Sequence, residues 1–471
     1  MKSTYEQSHS MNVFENGKQY SYHFIMKKQQ EFYSMIGHRT LLFIVAENDI
    51  ASLISYISAL KNHVTIALLS PAMSVSNFQI LIKEYEPEYL WLSNGFSDKD
   101  YTPVWEWKKY SLLRRRDRKQ PRMNENLALL LPTSGTVGKQ KLVRISYHNI
   151  KVNTRDITKF LQIDSTQKTI TTLPMNYTYG LSIVNTYLSA GASIVLNNKM
   201  VISPEFWDIM QRDHITSLSG VPYTFEMIEK VNPFEKYDLP DLKVMTQAGG
   251  ALNSKTWQYY IRQVQKHSMR FFVMYGQTEA TARMSYLDPE LFPEKIGSIG
   301  TAIPNGRFIL CDEQDMQITK PYTQGELVYM GENVSLGYAK SQVDLAKGDE
   351  NSGVLHTGDL AYFDRDDLFF LTGRKNRFAK IYGLRIDLDN LQNALSELYQ
   401  GDVYCVSEQE EIYCFSEMNQ KESFMKEIAK QFGIQKRCLN WIQINLSLYR
   451  NGNGKVSYDK MAKEVKLMMN A

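Results

Sequence analysis

A loop after a predicted strand holds the residues with the clearest potential for chemistry. Residues 127–131 are apolar enough for a buried strand, and residues 133–143 then combine two glycines with threonine, serine and lysine side chains. Such glycines let backbone N–H groups approach an anion, hydroxyl groups donate hydrogen bonds, and lysine neutralises charge. The loop is not a Walker A motif, because that motif requires glycine where Thr133 stands. The sequence therefore predicts a polyphosphate-binding loop, and an ordinary solvated turn is the alternative.

The composition is that of a globular protein with room for more than one domain. The 471 residues are 43% apolar and 22% charged, and the formal net charge of +3 is too small for a general nucleic-acid binder. No apolar stretch approaches the roughly 20 residues of a membrane span, and residues 1–17 are too polar for an export signal. The four cysteines lack C-x-x-C spacing, and the eight histidines lack metal-binding spacing. We therefore expect reduced thiols, no membrane span, no nucleic-acid partner and a cytoplasmic location.

Alternating strand and helix patterns predict an α/β fold with largely parallel sheets. Predicted helices span residues 50–61 and 76–84, and predicted strands span residues 41–45, 64–69, 168–173, 192–196, 242–246 and 271–274. After residue 296, glycine-rich turns separate β-like segments at residues 308–311, 326–330 and 368–371, which predicts a smaller β subdomain. Residues 373–377 have the composition of a linker, and the chain from residue 377 to residue 471 is long enough for one small α+β domain.

Further motifs stand where loops should follow strands. Residues 247–251 offer bare backbone for a flat ring, and residues 274–279 bring an aromatic ring, a glycine, a hydroxyl and a carboxylate together. Residues 357–359 and 372–374 each set a charged side chain beside a glycine, and residues 451–455 set a lysine on a loop with two glycines. Each motif alone also fits an ordinary core tyrosine or turn aspartate. Their combination is much less expected by chance.

In order and spacing, these motifs resemble the adenylate-forming superfamily of acyl-CoA synthetases, luciferases and peptide-synthetase adenylation domains. The resemblance extends from residue 59 to residue 455 and is strongest at residues 275–279, 357–359 and 373–386. It implies an enzyme that uses ATP and Mg²⁺ to convert a small carboxylic acid into an acyl-AMP with release of pyrophosphate. The acyl group would then pass to a thiol, that of CoA or of a carrier protein's phosphopantetheine.

The resemblance also implies how the domains are organised. Residues 1–373 would form a large N-terminal domain of two α/β subdomains plus a small β-barrel-like subdomain. Residues 374–376 would be a hinge, and residues 377–471 would form a small mobile α+β domain that closes over the active site.

Particular residues take their roles from the same resemblance. Lys455 would bridge the substrate carboxylate and the α-phosphate, while Thr278 would bind the α-phosphate and Glu279 would hold Mg²⁺. The residues implied for the β- and γ-phosphates are Thr133, Ser134, Gly135, Thr136, Gly138 and Lys141. The adenine and acyl pocket would be lined by Gly249, Gly250, Ala251, Gly276 and Tyr275, and the Tyr275 ring would stack on adenine. The ribose and the phosphates would be bound by Asp359, Arg374 and Arg385.

Departures from the family pattern concern loop rigidity and the hinge. Val137 stands in place of a threonine, Gln140 in place of a proline, and Asn376 in place of aspartate or lysine. None of them removes a group that the chemistry requires. Charge that develops on the phosphoryl oxygens and on pyrophosphate can be stabilised by Mg²⁺ and Lys455, so no protein nucleophile is needed.

The implied acyl pocket includes Gly220 and the polar or aromatic residues Asn176, Tyr177 and Tyr223. No acidic residue stands within residues 174–181 to hold an α-ammonium group, which argues against an amino-acid substrate. The pocket residues favour a small or polar acid over a long fatty acid. Arg283 is expected to form an external salt bridge, and a substrate carboxylate is its alternative partner.

Two other functions stay open at this point. One is a stand-alone amino-acid-adenylating or amide-forming enzyme, which would pass the acyl-AMP to an amine. The other is a non-catalytic nucleotide-binding protein, which the joint presence of Glu279, Asp359, Arg374 and Lys455 disfavours. No carrier domain is recognisable in the sequence, so any acyl or peptidyl carrier protein is expected to be a separate chain.

Overall fold

The computed structural model describes residues 11–96, 98–132, 141–375, 377–382, 384–450 and 455–469. These residues form the mixed α/β fold that the sequence predicts, and every strand and helix predicted there overlaps an element of the same type. Local sequence explains where the elements begin. Helix Ile50–Lys61, for example, starts after Asp49, whose carboxylate accepts a hydrogen bond from the Ser52 backbone N–H at the otherwise unpaired helix start.

The first large sheet has parallel strands at its centre and antiparallel strands at its edges. Its described strands, in spatial order, are Tyr338–Ala339, Leu142–Ser146, Leu127–Pro132, Thr65–Leu69, Leu41–Val45, Tyr89–Ser93, Tyr110–Arg115 and Tyr101–Trp107. The four central strands pair in parallel. They read as continuous apolar runs because helices and neighbouring layers cover both faces of the sheet.

The second sheet joins the remaining α/β region to the predicted β subdomain. Its described strands, in spatial order, are Gln317–Ile318, Gly306–Cys311, Gly325–Gly331, Val354–Phe363, Phe369–Arg374, Ser298–Ala302, Ser285–Tyr286, Arg270–Tyr275, Val244–Gln247, Ser217–Gly220, Lys168–Ile170, Ser193–Leu196, Asn12–Glu15 and Lys18–Ser21. Strands Ser217–Gly220, Val244–Gln247 and Arg270–Tyr275 are parallel neighbours. Their carboxyl ends therefore meet at one edge, where ligands of open α/β sheets bind.

The predicted β-barrel-like subdomain does not close into a barrel in the described part of the chain. Strand Ser298–Ala302 pairs with Ser285–Tyr286 on one side and with Phe369–Arg374 on the other. Because both edges of this strand are occupied in that way, the antiparallel strands continue the large sheet. The smaller β region is therefore an antiparallel extension of the parallel sheet.

Helices cover the sheets and complete the small C-terminal region. The described α-helices are Tyr22–Ile36, Ile50–Lys61, Val75–Tyr85, Tyr147–Leu161, Thr178–Ser189, Pro204–Arg212, Pro222–Val231, Ser254–His267, Leu388–Tyr399, Glu422–Gln431 and Tyr458–Met469, with short 3₁₀ turns at Pro233–Glu235, Thr278–Ala280, Gln342–Ala346, Lys436–Cys438 and Leu446–Tyr449. None of the helices in this part of the chain combines the length and the apolar character that a bilayer crossing requires.

The C-terminal region has its own strands and its own core. Hairpin Phe378–Ile381 and Leu384–Asp387 stands beside a sheet formed by Val403–Glu408, Glu411–Ser416 and Leu439–Gln443. Its buried core includes Leu391, Leu395, Val403, Ile412 and Ile428.

The predicted linker begins later than its composition indicated. Gly373 and Arg374 are the last residues of strand Phe369–Arg374, so they belong to the second sheet. Asn376 lies outside the described residues, and the domain boundaries with the hinge at residues 374–376 stay predictions.

Candidate active site

Asp359 lies at the centre of a hydrogen-bond network at the end of the large sheet. Its Oδ2 atom accepts hydrogen bonds from the Tyr275 hydroxyl at 2.5 Å and from Gln277 Nε2 at 2.9 Å, and its Oδ1 atom accepts one from Arg374 Nε at 3.0 Å. Burial, followed by the charge of Asp359, raises the pKa of Tyr275, so its phenol is held as a donor. A carboxylate has about four acceptor sites, so Asp359 can accept further hydroxyl groups.

The turn after Tyr275 is tightly constrained. A Cβ atom on Gly276 would stand 1.8 Å from the Ala282 carbonyl oxygen, so only glycine fits there. Thr281 has a φ of +67°, which is unusual for a β-branched residue and costs backbone strain. The Thr281 hydroxyl donates to the Asn333 carbonyl at 2.7 Å, and Asn333 Nδ2 donates to the Ala280 carbonyl at 2.9 Å. These bonds hold the strained turn, as expected where a loop must present groups to a ligand.

Glu279 and Lys141 meet through a tyrosine that the sequence did not single out. The Tyr338 hydroxyl donates to Glu279 Oε1 at 2.7 Å, and Lys141 Nζ lies 3.7 Å from the centroid of the Tyr338 ring. The predicted phosphate-loop lysine and the predicted metal carboxylate are therefore neighbours. The other predicted loop residues, Thr133, Ser134, Gly135, Thr136 and Gly138, lie outside the described residues.

The surroundings of Glu279 fit a magnesium site that the substrate completes. Mg²⁺ keeps several waters and takes one or two protein carboxylates together with substrate phosphates. Glu279 supplies such a carboxylate, and the hydrogen bond from the Tyr338 hydroxyl holds its Oε1 atom in position. Thr278, at the first position of the 3₁₀ turn Thr278–Ala280, stands directly beside it in the chain.

Lys455 reaches from the C-terminal region to the edge of the parallel sheet. Its Nζ atom lies 5.9 Å from the centroid of the Tyr177 ring, and its Cε atom lies 3.4 Å from the point that a Cβ on Gly249 would occupy. Burial and the nearby Arg374 lower the pKa of Lys455, against the opposing effects of Asp359 and Glu279. The ammonium therefore faces both the carboxylate network and the predicted acyl pocket.

The predicted acyl pocket is closely packed around Gly249 and Gly220. Gly249 has a φ of +90°, and a Cβ there would stand 2.8 Å from the Tyr177 hydroxyl oxygen. A Cβ on Gly220 would stand 2.8 Å from Thr224 Cβ. Gly250 accepts a hydrogen bond from Gln247 Nε2 at 2.7 Å through its carbonyl. The structure therefore brings Lys455, Tyr177 and Gly249 together.

Other predicted residues have different surroundings. The Asn176 Oδ1 atom is buried and has no hydrogen-bond partner among the described residues. The Arg450 guanidinium carbon lies 4.4 Å from the centroid of the Tyr223 ring. Ala251 is exposed. Arg385 pairs with Lys380 in the C-terminal hairpin, so its strand belongs to that region. The roles implied for these residues stay predictions.

The expected external salt bridge of Arg283 is wrong. Its side chain is only 2% exposed and stands 5.0 Å from the centroid of the Tyr179 ring. In the described ranges, Arg283 forms no ion pair with a carboxylate, and its Nε and Nη1 atoms have no hydrogen-bond partner. The guanidinium is buried because it packs against Tyr179 of helix Thr178–Ser189, a contact that only the tertiary fold creates.

Arg450 connects the C-terminal region to the large N-terminal region. Its Nη2 atom lies 3.5 Å from Glu226 Oε2 and 3.2 Å from Asp402 Oδ2. Glu226 belongs to helix Pro222–Val231, and burial followed by the charge of Asp402 raises the pKa of its carboxyl group. Arg450 thus bridges two carboxylates on opposite sides of this contact.

Some functional contacts could not be read from the sequence. Gln277 lies inside the motif of residues 274–279, and its spacing from Tyr275 could have marked it. Tyr338 carries no local signal, because its contact with Glu279 joins residues 59 positions apart. Arg450 likewise meets Glu226 only through the tertiary fold.

Comparison with known proteins bears on the whole arrangement. Residues 35–339 match the family model described as AMP-binding enzyme. The chain is 26% identical to luciferin 4-monooxygenase of Nipponoluciola cruciata over 274 aligned residues. This alignment covers 58% of this chain and 49% of that protein. The chain is 27% identical to indoleacetate–CoA ligase of Aromatoleum aromaticum over 270 aligned residues. This alignment covers 57% of this chain and 52% of that protein. The chain thus spans about half the length of the curated relatives that it matches.

A solved structure supports the fold over nearly the whole chain. O-succinylbenzoate coenzyme A synthetase from Bacillus subtilis, in complex with ATP and magnesium ion, aligns with a TM-score of 0.75 and 17% sequence identity. The alignment covers 96% of this chain and 96% of that chain. It therefore includes both the sheets and the C-terminal region that carries Lys455.

Proposed function

This chain belongs to the AMP-binding enzyme family, and from that premise we propose that it activates a carboxylic acid with ATP and transfers the acyl group to a thiol. ATP, Mg²⁺ and a small carboxylic acid are the proposed reactants of the first step. CoA is the proposed acceptor of the second step, and the phosphopantetheine of a separate carrier protein is the alternative acceptor.

The position of Lys455 supports the proposal most strongly. Its ammonium stands beside Tyr177 and Gly249 on the predicted acyl side, and it is under the electrostatic influence of Asp359 and Glu279 on the predicted nucleotide side. A cation at that junction can contact a substrate carboxylate and an α-phosphate at the same time. The two reacting groups are both anionic, so such a cation offsets their repulsion.

The first step forms one bond and breaks one. A carboxylate oxygen of the acid attacks the α-phosphorus of ATP, the bond from that phosphorus to the bridging oxygen breaks, and pyrophosphate leaves with the electron pair. Lys455 contacts the α-phosphoryl oxygens as charge develops on them, and no proton transfer is required. Thr278 would donate a hydrogen bond to the same phosphate.

The remaining groups bind and orient the nucleotide. Asp359 accepts hydrogen bonds from ribose hydroxyls, with Arg374 and Tyr275 fixing the carboxylate. Lys141 neutralises the outer phosphates. Glu279 would hold Mg²⁺, which supplies positive charge to the phosphate oxygens when it is bound.

The second step transfers the acyl group to sulfur. The thiol sulfur attacks the acyl carbonyl carbon, the carbon–oxygen bond to AMP breaks, AMP leaves with the electron pair, and the thiol proton is released to solvent. A different face of the C-terminal domain would serve this step, so we propose rotation about residues 374–376. The cytoplasmic location and the domain boundaries belong to this proposal as well.

A two-stage assay tests the proposed function. ATP-dependent pyrophosphate release is measured across a panel of monocarboxylic acids, dicarboxylic acids and amino acids, and each active acid is then supplied with CoA, with a pantetheinylated carrier protein or with hydroxylamine. We expect acid-dependent release and a thioester product with CoA. ATP binding without release for any acid would instead support a non-catalytic nucleotide-binding protein. Release followed by product only with amines would favour an amide-forming enzyme.

A further inference from the structure

Arg283 is a buried cation whose hydrogen-bonding capacity is not used by the described protein. Its side chain is 2% exposed, and its Nε and Nη1 atoms have no hydrogen-bond partner among the described residues. Its contact with the Tyr179 ring, at 5.0 Å, is a cation–π contact and gives the Nε and Nη1 groups no hydrogen-bond acceptor. Burying a guanidinium without hydrogen bonds or a counter-charge is costly.

Arg144 is a buried arginine whose guanidinium is fully hydrogen-bonded by the protein, and it serves as a comparison for Arg283. Arg144 is 0% exposed and is therefore at least as deeply buried as Arg283. Its nitrogen atoms donate to the carbonyl oxygens of Tyr338, Lys347, Gly348 and Leu336 and to the Glu350 carboxylate. Arg283 has no comparable set of acceptors in the described ranges. Its unpaired Nε and Nη1 groups therefore indicate an anionic partner that the described part of the chain does not supply.

The position of Arg283 relative to Lys455 indicates which anion this is. The Lys455 ammonium lies 5.9 Å from the Tyr177 ring, and the Tyr177 and Tyr179 rings meet edge to face at 6.5 Å. The Arg283 guanidinium in turn stands 5.0 Å from the centroid of the Tyr179 ring, so the two tyrosines connect Lys455 to Arg283. An acid whose reactive carboxylate lies at Lys455 would have to run along these two rings to reach Arg283.

The hydroxyl groups near Tyr179 already have hydrogen-bond partners within the protein. The Tyr179 hydroxyl contacts Thr246 at 2.8 Å, and the Thr246 hydroxyl donates to Ser219 Oγ at 2.8 Å. Thr246 and Ser219 lie on the neighbouring parallel strands Val244–Gln247 and Ser217–Gly220. Because these hydroxyl groups have partners, the unpaired guanidinium is the strongest recognition group at this end of the path.

We propose that Arg283 binds a second carboxylate of the acid substrate, so that the enzyme activates a dicarboxylic acid. This inference rests on the proposed function and names its substrate class. The guanidinium presents a rigid fork of N–H donors that matches a carboxylate, and its burial strengthens the attraction. An acid that lacks the second carboxylate leaves the guanidinium unpaired, so the site discriminates against it.

The test compares each dicarboxylic acid with its own monomethyl ester. Acid-dependent exchange of pyrophosphate into ATP is measured for the linear diacids from malonate to adipate and for the benzene dicarboxylates. The unmodified protein should prefer at least one diacid over its half-ester by about 100-fold or more in kcat/KM. Arg283→Gln should remove most of that preference and leave ATP affinity unchanged. Arg283→Lys should give an intermediate preference, because it keeps the charge without the fork.

Arg270→Gln is the matched control. Arg270 lies on strand Arg270–Tyr275 and uses its guanidinium on Gln162 and on the Phe272 ring, away from the path described above. This variant should keep the full preference for the diacid. If Arg283→Gln does not fold, the comparison of Arg283→Lys with the unmodified protein decides the question.

The outcomes separate this inference from the function on which it rests. Exchange that is equally fast with diacid and half-ester, or a preference that Arg283→Gln leaves unchanged, would overturn the dicarboxylate inference while acid activation stands. Exchange only with monocarboxylic acids would do the same. Failure of every acid in the panel to support exchange would overturn the proposed function, and the inference would fall with it.

Discussion

The Tyr275 hydroxyl donates a 2.5 Å hydrogen bond to Asp359, a residue 84 positions further along the chain. This bond ties the end of a parallel strand to the antiparallel extension of the same sheet. Arg374 holds the other oxygen of the carboxylate from the last residue of the neighbouring strand. The proposed ribose site is therefore fixed by three strands before any nucleotide binds, which lowers the cost of ordering it.

Replacing Asp359 should weaken nucleotide binding. Charge-assisted hydrogen bonds contribute about 1.5–3 kcal/mol each, so Asp359→Ala should weaken ATP binding by about 10- to 100-fold in calorimetry. Asp366→Asn, an exposed residue beyond the same strand, serves as the control and should bind ATP normally. An ATP affinity in Asp359→Ala equal to that of the unmodified protein would reject the ribose role.

Replacing Glu279 should change the metal requirement. Glu279→Gln removes the anionic oxygen and keeps the shape, so half-maximal activity should need a higher Mg²⁺ concentration. Tyr338→Phe removes only the hydroxyl that positions Glu279 and should cause a smaller shift in the same direction. A Mg²⁺ titration of Glu279→Gln that coincides with that of the unmodified protein would place the metal elsewhere.

Removing Arg450 should affect the two steps unequally. Arg450 bridges Glu226 of the N-terminal region and Asp402 of the C-terminal region, so Arg450→Ala weakens the arrangement that presents Lys455. We expect the rate of acyl-AMP formation to fall by about tenfold, because one well-placed ionic contact is lost. The single-turnover rate at which CoA consumes acyl-AMP should stay within about twofold of that of the unmodified protein.

The control for this variant is Lys466→Ala, which removes an exposed cation 3.8 Å from Glu408 within the C-terminal region itself. Both steps should keep their rates in this control. Equal slowing of both steps in Arg450→Ala would contradict a role limited to the adenylation arrangement.

The pH dependence of acyl-AMP formation should report on Lys455. Burial and Arg374 lower its pKa below the usual 10.5, and the ammonium form is the one that stabilises transition-state charge. The rate should therefore fall as pH rises through this lowered pKa, with a midpoint below 10.5. Lys455→Arg keeps its charge throughout and should lack this decline. A decline of the same midpoint in Lys455→Arg would assign it to another group.

The sequence predicted those parts of the fold and site that depend on local patterns. Strand 41–45 and helix 50–61 were recovered with their bounds, because an apolar run and a local helical pattern mark them directly. Asp359, Arg374 and Tyr275 were identified through motifs beside glycines, and the structure brings these three side chains together.

Features set by distant parts of the chain could not be predicted. The β-barrel-like subdomain was expected from the resemblance, whereas strand Ser298–Ala302 joins its strands to the parallel sheet. Arg283 was expected to form an external salt bridge, and only the packing of Tyr179 against it shows that it is buried. Tyr338 and Arg450 act through contacts that no local spacing indicates.

The exchange of labelled pyrophosphate into ATP by Lys455→Ala tests acid activation at this site most directly. This variant removes a cation that stands between the predicted nucleotide and acyl sides, and leaves Asp359 and its partners in place. In the presence of the best acid, exchange should fall by about 100- to 1,000-fold, while the calorimetric affinity for ATP stays near that of the unmodified protein. Exchange at the unmodified rate in a folded Lys455→Ala variant would contradict the account.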